Sequence, residues 1–315
     1  MKQKITSCII GAAIGDAIGV PFEFKSRECM ADEPATDMVG YGTHKQPIGT
    51  WSDDTSMILA TMDAMLTGFN YNKIMQNFCL WLYDSKFTPH DSVFDVGRTT
   101  ECAIDKFDPI KENSLECGDN KERANGNGSL MRIAPFAFYC YLKNGECTLD
   151  ENTSVVVHNG SSLTHAHRRS LMACGIYSSI IFELLKKQNK DSIYIGIKNA
   201  HKFYIKKTEF LEELKNYDRL FKADFRDLKC SVINSSGYVV DSLEAAVWCV
   251  LTTNTFEECV LSAVNLGGDT DTIASIAGGL AGILYGLEGI PDEWKEKLLK
   301  KEYIETLCNS FVELI

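Results

Sequence analysis

The 315-residue chain is 45% hydrophobic and has a formal net charge of −11. These values predict a sizeable core and exclude nucleic acid and an anionic membrane surface as partners, since both would repel the chain. We find no apolar run of membrane-spanning length, and the apolar stretch after Lys2 and Lys4 only imitates a signal peptide, because motif residues follow it. Twelve cysteines without a Cys-x-x-Cys pair predict small core residues in a reduced, cytoplasmic setting.

The first predicted element is a buried helix over residues 2–19, small and apolar on most faces. Asp16 lies within it and needs partners, because an isolated buried carboxylate is costly. We favour a hydrogen-bonded aspartate that braces a loop over a metal contact. Glu23 follows Pro21 and is therefore expected in a loop. Residues 28–49 show no clear periodicity, which predicts an irregular lid or loop.

The first acid cluster follows a small-residue turn. There, Trp51-Ser52-Asp53-Asp54-Thr55 leads into an apolar helical run from Met57 to Leu66. A helix N-cap needs one such polar residue, whereas this stretch supplies four. Adjacent carboxylates repel each other unless a cation neutralises them. Hard oxygen donors without a neighbouring His or Cys are typical ligands of Mg²⁺ or Mn²⁺.

Helical spacing predicts helices over residues 53–67 and 72–83, and another that opens at Asp95 and runs through Ile104. Asp95 suits the N-cap of that helix. The irregular residues 106–128 end in Asn125-Gly126-Asn127-Gly128-Ser129, before an apolar helix that starts near Leu130. Free N–H groups at such a junction suit an anion, for which a diphosphate is the natural candidate. Arg132 either adds charge there or forms an internal salt bridge.

The segment Thr164-His165-Ala166-His167 precedes a helix from about Arg169 to Leu185. No cysteine or carboxylate is spaced to complete a zinc site with the two histidines, so we reject zinc and interpret His167 as a surface or structural residue. Val155-Val156-Val157 is the best strand signal, and it is short. Few strand signals, no internal repeat and no linker predict one all-α domain over residues 1–315.

A second acid cluster lies near the C-terminus, where Asn265-Leu266-Gly267-Gly268-Asp269-Thr270-Asp271-Thr272 runs into a helix over residues 273–285. Taken alone, this stretch fits a helix cap as well as a cation site. Asp269 and Asp271 would point about 200° apart on a regular helix, but they can converge at a turn-to-helix junction. Two clusters of the same type favour one shared, dinuclear site, which requires opposite ends of the chain to meet.

Six motifs in order resemble the ADP-ribosylglycohydrolases related to dinitrogenase reductase-activating glycohydrolase. The resemblance spans nearly the whole chain and implies a compact helical fold. It also implies hydrolysis of the bond that joins ADP-ribose to an acceptor, through an oxocarbenium-like transition state. The motifs are Gly15-Asp16-Ala17-Ile18-Gly19 with Glu23, Trp51 to Thr55, Asp95-Val96-Gly97, Gly126 to Arg132 with Pro135, Thr164-His165, and Gly267 to Thr272.

The same resemblance implies roles for individual residues. The implied metal ligands, for two Mg²⁺ or Mn²⁺ ions, are Ser52, Asp53, Asp54, Asp269, Asp271 and Thr272. The implied catalytic residues are Glu23, Asp54, Asp95 and Asp271. The implied substrate-binding residues are Glu23, Gly126, Asn127, Gly128, Ser129 and His165. The chain departs from its relatives at Ser52, where they usually have Thr, and at Arg98, where they usually have Asn.

The predicted substrate is an ADP-ribosylated protein, with ADP-ribose as the product and arginine as the acceptor. ADP-ribosyl-serine and O-linked esters are the alternatives. A non-catalytic ADP-ribose-binding relative is another, although intact acids at both clusters argue against it. A metal phosphohydrolase of the His-Asp type, suggested by His90-Asp91, would require further histidines, such as His44 or His158, to converge on that pair.

Overall fold

The computed structural model describes residues 1–314, which form α-helices joined by turns and short 3₁₀ segments and contain no β-strand. The predicted all-α class is therefore confirmed. The helices are α1 Lys2–Gly19, α2 Arg27–Asp32, α3 Asp53–Leu66, α4 Tyr71–Asp84, α5 Arg98–Asp105, α6 Ala134–Asn144, α7 Glu151–Ser162, α8 Arg168–Lys186, α9 Lys190–Tyr204, α10 Leu211–Leu214, α11 Val239–Thr252, α12 Phe256–Asn265, α13 Thr270–Tyr285, α14 Asp292–Lys297 and α15 Lys301–Leu314.

The centre of the molecule is the pair formed by α1 and α13, which pack along each other with almost no side chain between them. A Cβ atom on Gly15 would lie 2.0 Å from the carbonyl oxygen of Ala274, and one on Gly278 would lie 2.3 Å from that of Gly11. Only glycine allows so close an approach of two backbones. Helices α3, α8, α11, α12 and α15 pack around this pair.

Helix α1 corrects the expectation that no apolar run is long enough to span a bilayer. The stretch Lys2–Phe22 reaches the necessary length and has a mean hydropathy of 1.6. However, 94% of its most apolar window is buried inside the protein. Its hydrophobicity is that of a core helix enclosed by other helices.

Local patterns misplaced three other features. Val155-Val156-Val157 lies within α7, whose start is set by a capping box between Asp150 and Thr153. The helix expected near Leu130 begins at Ala134, with Pro135 in its first turn, so four more residues belong to the preceding turns. The sequence also predicts one polar C-terminal helix that starts at Pro291, but this segment forms two helices, α14 and α15.

Candidate active site

The two acid clusters meet because the N-terminal ends of α3 and α13 lie beside the C-terminal end of α1. Gly19 ends α1 directly against α13, where an added Cβ would lie 2.3 Å from Asp271 Cα. Thr270 Oγ1 donates to the Gly19 carbonyl at 2.8 Å. Before α13, Gly267 and Gly268 have positive φ angles of 71° and 77°, a conformation that glycine adopts without strain.

Asp16 holds the start of α3 in place. Its carboxylate accepts from Ser52 N at 2.9 and 3.0 Å, from Thr55 N at 3.1 Å and from Thr55 Oγ1 at 2.6 Å. Burial raises the pKa of Asp16 to about 6, although these hydrogen bonds lower it. The interpretation of Asp16 as a bracing aspartate is therefore confirmed, since both of its carboxylate oxygens accept hydrogen bonds from the start of α3.

Asp54 and Asp271, from opposite ends of the sequence, converge as predicted. Asp16, Asp54 and Asp271 each bring one carboxylate oxygen within 4.8 Å of the other two, and all three side chains are fully buried. Asp54 Oδ2 accepts from Ser52 Oγ and from Thr272 Oγ1, both at 3.2 Å. Ser52 and Thr272 therefore join the two clusters through one carboxylate.

The remaining oxygens test whether a cation fits this junction. Asp54 Oδ1 and Asp271 Oδ2 are buried and have no hydrogen-bond partner. Burial, followed by repulsion from neighbouring carboxylates, raises the pKa of Asp53, Asp54 and Asp271 well above the usual range. Within residues 1–314, no lysine or arginine forms an ion pair with these carboxylates. Orphaned hard oxygens of this kind fit a divalent cation.

A second group of potential ligand atoms shares Asp271 with the first. Glu23, Asp269 and Asp271 each place one oxygen within 4.8 Å of the others. The loop that carries Glu23 is tied to the glycine turn, because Phe24 N donates to Gly268 O at 2.7 Å and Gly268 N donates to Lys25 O at 2.8 Å. Burial and then the charges of Asp95, Asp269 and Asp16 raise the pKa of Glu23 to about 9.

His44 is a site residue that sequence reasoning missed. Its Nε2 pairs with Glu23 Oε2, and Glu23, His44 and Asp95 form a further group with ligand atoms within 4.8 Å. The 3₁₀ turn at Gly42–His44 is held against the Glu23 loop by Thr43 Oγ1, which donates to Glu23 O at 2.8 Å. No motif marks this histidine, since the contact depends on how an irregular segment folds back.

Residues from seven parts of the sequence line a cavity of about 280 Å³ at this junction. Glu23 and Asp53 come from the N-terminal part, Asp95 from the middle, and Asp269 from the C-terminal cluster. Asp54 and Asp271 do not line the cavity and lie buried behind it. Its lining residues are Glu23, Phe24, Asp53, Asp95, Gly97, Arg98, Thr99, Thr100, Gly126, Asn127, Gly128, Met131, His165, Gly237, Asp269 and Thr272.

The glycine-rich segment lies at the cavity, but not at a helix N-terminus as expected. The Asn127 side-chain amide donates to Asp269 Oδ2 at 2.7 Å and to Ser242 Oγ at 2.9 Å, which ties this segment to the acid cluster. A Cβ on Gly128 would lie 3.0 Å from His165 Cε1, so glycine leaves room beside the imidazole. The Ser129 hydroxyl is fully buried and accepts from Ser161 Oγ at 2.8 Å, away from the cavity lining.

Capping explains fewer of the polar residues than local sequence suggested. Asp95 is not an N-cap, since α5 is preceded by Gly97, and Asp95 has a positive φ of 52°. Asp269 occupies the N-cap position of α13 but makes no side-chain capping bond. Ser52 does cap α3, because its Oγ accepts from Asp54 N at 3.3 Å. His167 caps α8 through Nδ1, as its structural interpretation requires.

The His-Asp alternative finds no support in the described part of the chain. His90 Nε2 lies 3.0 Å from Thr50 Oγ1, and Asp91 pairs with Lys300 at 3.4 Å. His44 contacts Glu23, and His158 contacts Tyr204 at 2.8 Å. The histidines therefore do not converge on this pair.

Comparisons with known proteins agree with this geometry. Residues 1–315 match the family model of the ADP-ribosylglycohydrolases. The chain is 30% identical over 314 residues to ADP-ribosylarginine hydrolase Tri1 of Pseudomonas putida, covering 99% of this chain and 78% of that protein. It is 29% identical over 304 residues to ADP-ribosyl-[dinitrogen reductase] glycohydrolase of Rhodospirillum rubrum, covering 95% and 91%. A solved structure described as an ADP-ribosylglycohydrolase-related protein complex has a TM-score of 0.78 and 26% identity, covering 99% of this chain and 98% of that one.

Proposed function

This chain belongs to the ADP-ribosylglycohydrolase family, and from that membership we propose that it releases ADP-ribose from modified arginine side chains of proteins. The general activity, hydrolysis of an ADP-ribosyl linkage, is supported by the family match and by relatives named for that activity. The arginine acceptor is supported by relatives named ADP-ribosylarginine hydrolases, which are about 30% identical to this chain.

The mouth of the cavity is the observation that carries arginine over the other acceptors. Phe24 is 69% exposed there, next to Glu23, and Asp95 lines the same cavity. Carboxylates attract a guanidinium group, and an exposed aromatic ring offers it a stacking surface. A serine or ester linkage brings no positive charge to these groups. The mouth therefore suits a cationic leaving group.

We propose that the junction behind the cavity holds two divalent cations, Mg²⁺ or Mn²⁺. Two groups of carboxylates share Asp271, which supports two neighbouring positions. When bound, the ions would supply Lewis-acid stabilisation and a more acidic water molecule. The residues that would hold them are Ser52, Asp53, Asp54, Asp269, Asp271 and Thr272.

The chain's own groups account for binding and orientation. Glu23, fixed by His44, is suited to accept hydrogen bonds from the reacting ribose. Cations bound beside it would lower its raised pKa, and the negative form would then favour oxocarbenium character at the anomeric carbon. Asp95 is suited to orient the attacking water and take its proton. His165 and the glycines at 126 and 128 would hold the diphosphate and the neighbouring ribose.

A panel of arginine-, serine- and ester-linked ADP-ribose substrates tests the acceptor. We expect release of ADP-ribose from the arginine-linked substrate with Mg²⁺ or Mn²⁺ and loss of release with a chelator. Faster release from the serine or ester substrate would contradict the arginine acceptor but retain the hydrolase. Tight binding of ADP-ribose without turnover of any substrate would indicate a binding protein instead.

Asp271→Asn tests the acid junction directly. We expect turnover to fall on the order of 10³-fold, because a ligand that both carboxylate groups share would be lost. Circular dichroism should show unchanged helical content, since the amide nearly preserves the shape of the side chain. Asp292→Asn is the matched control, because Asp292 is 89% exposed on α14. Equal turnover of Asp271→Asn and the wild-type protein would overturn the assignment.

A further inference from the structure

Arg132 is a fully buried cation without a counter-anion in the described range. Its Nη1 donates to Gly160 O at 3.0 Å, its Nε has no partner, and its guanidinium lies 4.8 Å from the centre of the Phe78 ring. Burial lowers the pKa of Arg132 to about 10. The predicted salt bridge is therefore wrong, because Arg132 pairs with no carboxylate among the described residues, and Arg132 itself does not line the cavity. A buried, unpaired charge is destabilising, so packing alone does not explain it.

The second guanidinium nitrogen connects Arg132 to the cavity through Thr164. Arg132 Nη2 donates to Thr164 Oγ1 at 2.8 Å, and Thr164 Oγ1 lies 2.8 Å from His165 Nδ1. Arginine has no acceptor, so Thr164 must accept this bond. Within residues 1–314, the hydroxyl hydrogen of Thr164 has one acceptor in reach, His165 Nδ1. A nitrogen that accepts a hydrogen bond is unprotonated, so the neutral ring carries its hydrogen on Nε2.

The Nε2 edge of His165 faces the glycine segment of the cavity. A Cβ atom on Gly126 or on Gly128 would lie 3.5 Å from that nitrogen, so both glycines leave space in front of it. His165 is 2% exposed and lines the cavity. Burial and then the charge of Arg132 lower the pKa of His165 to about 3, so the ring stays neutral at physiological pH.

We propose that Arg132 and Thr164 are positioning residues that hold His165 as an Nε2–H donor toward a phosphate oxygen of ADP-ribose. Each hydrogen bond in this relay is donated in the direction from Arg132 to His165. The His165 Nε2–H group is therefore left to donate to an acceptor atom in the cavity. If the imidazole could exchange between its two tautomers, a fraction of the protein would present the Nε2 lone pair to the phosphate oxygen. That fraction would bind the phosphate more weakly. The identity of the ligand rests on the proposed function, whereas the tautomer follows from the hydrogen bonds.

The tautomer is measurable without substrate. In the protein labelled with ¹⁵N-histidine, two-bond ¹H–¹⁵N spectra distinguish a protonated Nε2 from a protonated Nδ1, and His165→Gln identifies the resonance among the six histidines. We expect His165 to show protonated Nε2 and unprotonated Nδ1 at neutral pH. A protonated Nδ1 in the wild-type protein would overturn the proposal, whatever the enzyme acts on.

Thr164→Val and Thr164→Ser form the matched pair, because valine keeps the shape of threonine and serine keeps its hydroxyl. We expect Thr164→Val to lose the single tautomer and to bind ADP-ribose about 10-fold more weakly, with KM rising more than kcat falls. Thr164→Ser should restore both properties. Unchanged tautomer and affinity in a folded Thr164→Val protein would contradict the relay. If the wild-type protein fails to bind ADP-ribose, the proposed function fails, and the spectra still decide the tautomer.

Discussion

At the scale of single residues, His158 couples the stability of the protein to pH. Its partly buried imidazole contacts the hydroxyl of Tyr204 at 2.8 Å, and burial, then the charge of Lys207, lowers the pKa of His158 from 6.5 to about 4. Between these values the unfolded chain binds more protons than the folded one. This residue's contribution to the free energy of unfolding therefore falls as the pH falls through that window.

We expect His158→Gln to flatten that dependence. Each pKa unit corresponds to about 1.4 kcal/mol, so the wild-type protein should lose up to roughly 3 kcal/mol from this group between pH 7 and pH 4. Urea unfolding at both pH values measures the difference between wild type and variant. The same slope in both proteins would show that His158 is protonated as easily in the folded state as in the unfolded chain.

At the scale of helices, the glycine contact between α1 and α13 sets the distance between Asp16 and Asp271. We expect Gly15→Ala to destabilise the protein by about 3 kcal/mol, because the added Cβ meets the Ala274 carbonyl and must push two backbones apart. Activity should fall as well, since Gly15 is adjacent to the aspartate that braces α3. Thermal unfolding and turnover measure both effects.

Gln3→Ala is the control for that substitution, since Gln3 lies on the same helix and is exposed. We expect it to change neither property measurably. If Gly15→Ala were as stable and as active as Gln3→Ala, the close contact of α1 and α13 would not be what aligns the acid clusters.

At the scale of the whole molecule, a cation bound at the junction would link the N-terminal and C-terminal parts of the chain. We expect Mg²⁺ or Mn²⁺ to raise the free energy of unfolding by about 2.7 kcal/mol when present at roughly 100 times its Kd. Thermal unfolding with metal and with chelator measures this rise. Asp292→Asn alters an exposed carboxylate that is not part of the junction. This variant should respond to metal as the wild-type protein does.

The same experiment with Asp271→Asn should give a different order of stability with and without metal. Without metal, this variant should be more stable than the wild-type protein, because one of several mutually repelling buried carboxylates becomes neutral. With metal, it should gain little. A metal-free Asp271→Asn protein that is markedly less stable than the wild type would show that the carboxylates are held by something other than a cation.

The sequence by itself determined the all-α class and the approximate extent of helices such as α1, α3 and α4, and it grouped the acids of both clusters. Helical periodicity and the grouping of acids with hydroxyls are local properties of the chain. The metals, their identity and the cytoplasmic location stay predictions.

Only the tertiary structure decided the positions and contacts of Asp95, His44 and Arg132. Asp95 suited an N-cap by its spacing, yet its carboxylate lies within 4.8 Å of that of Glu23. His44 carried no motif, and Arg132, buried behind Thr164, forms no salt bridge with the described residues. These outcomes depend on contacts between segments far apart in the chain. Spacing along a sequence carries no information on which segments the packing of α1 against α13 brings together.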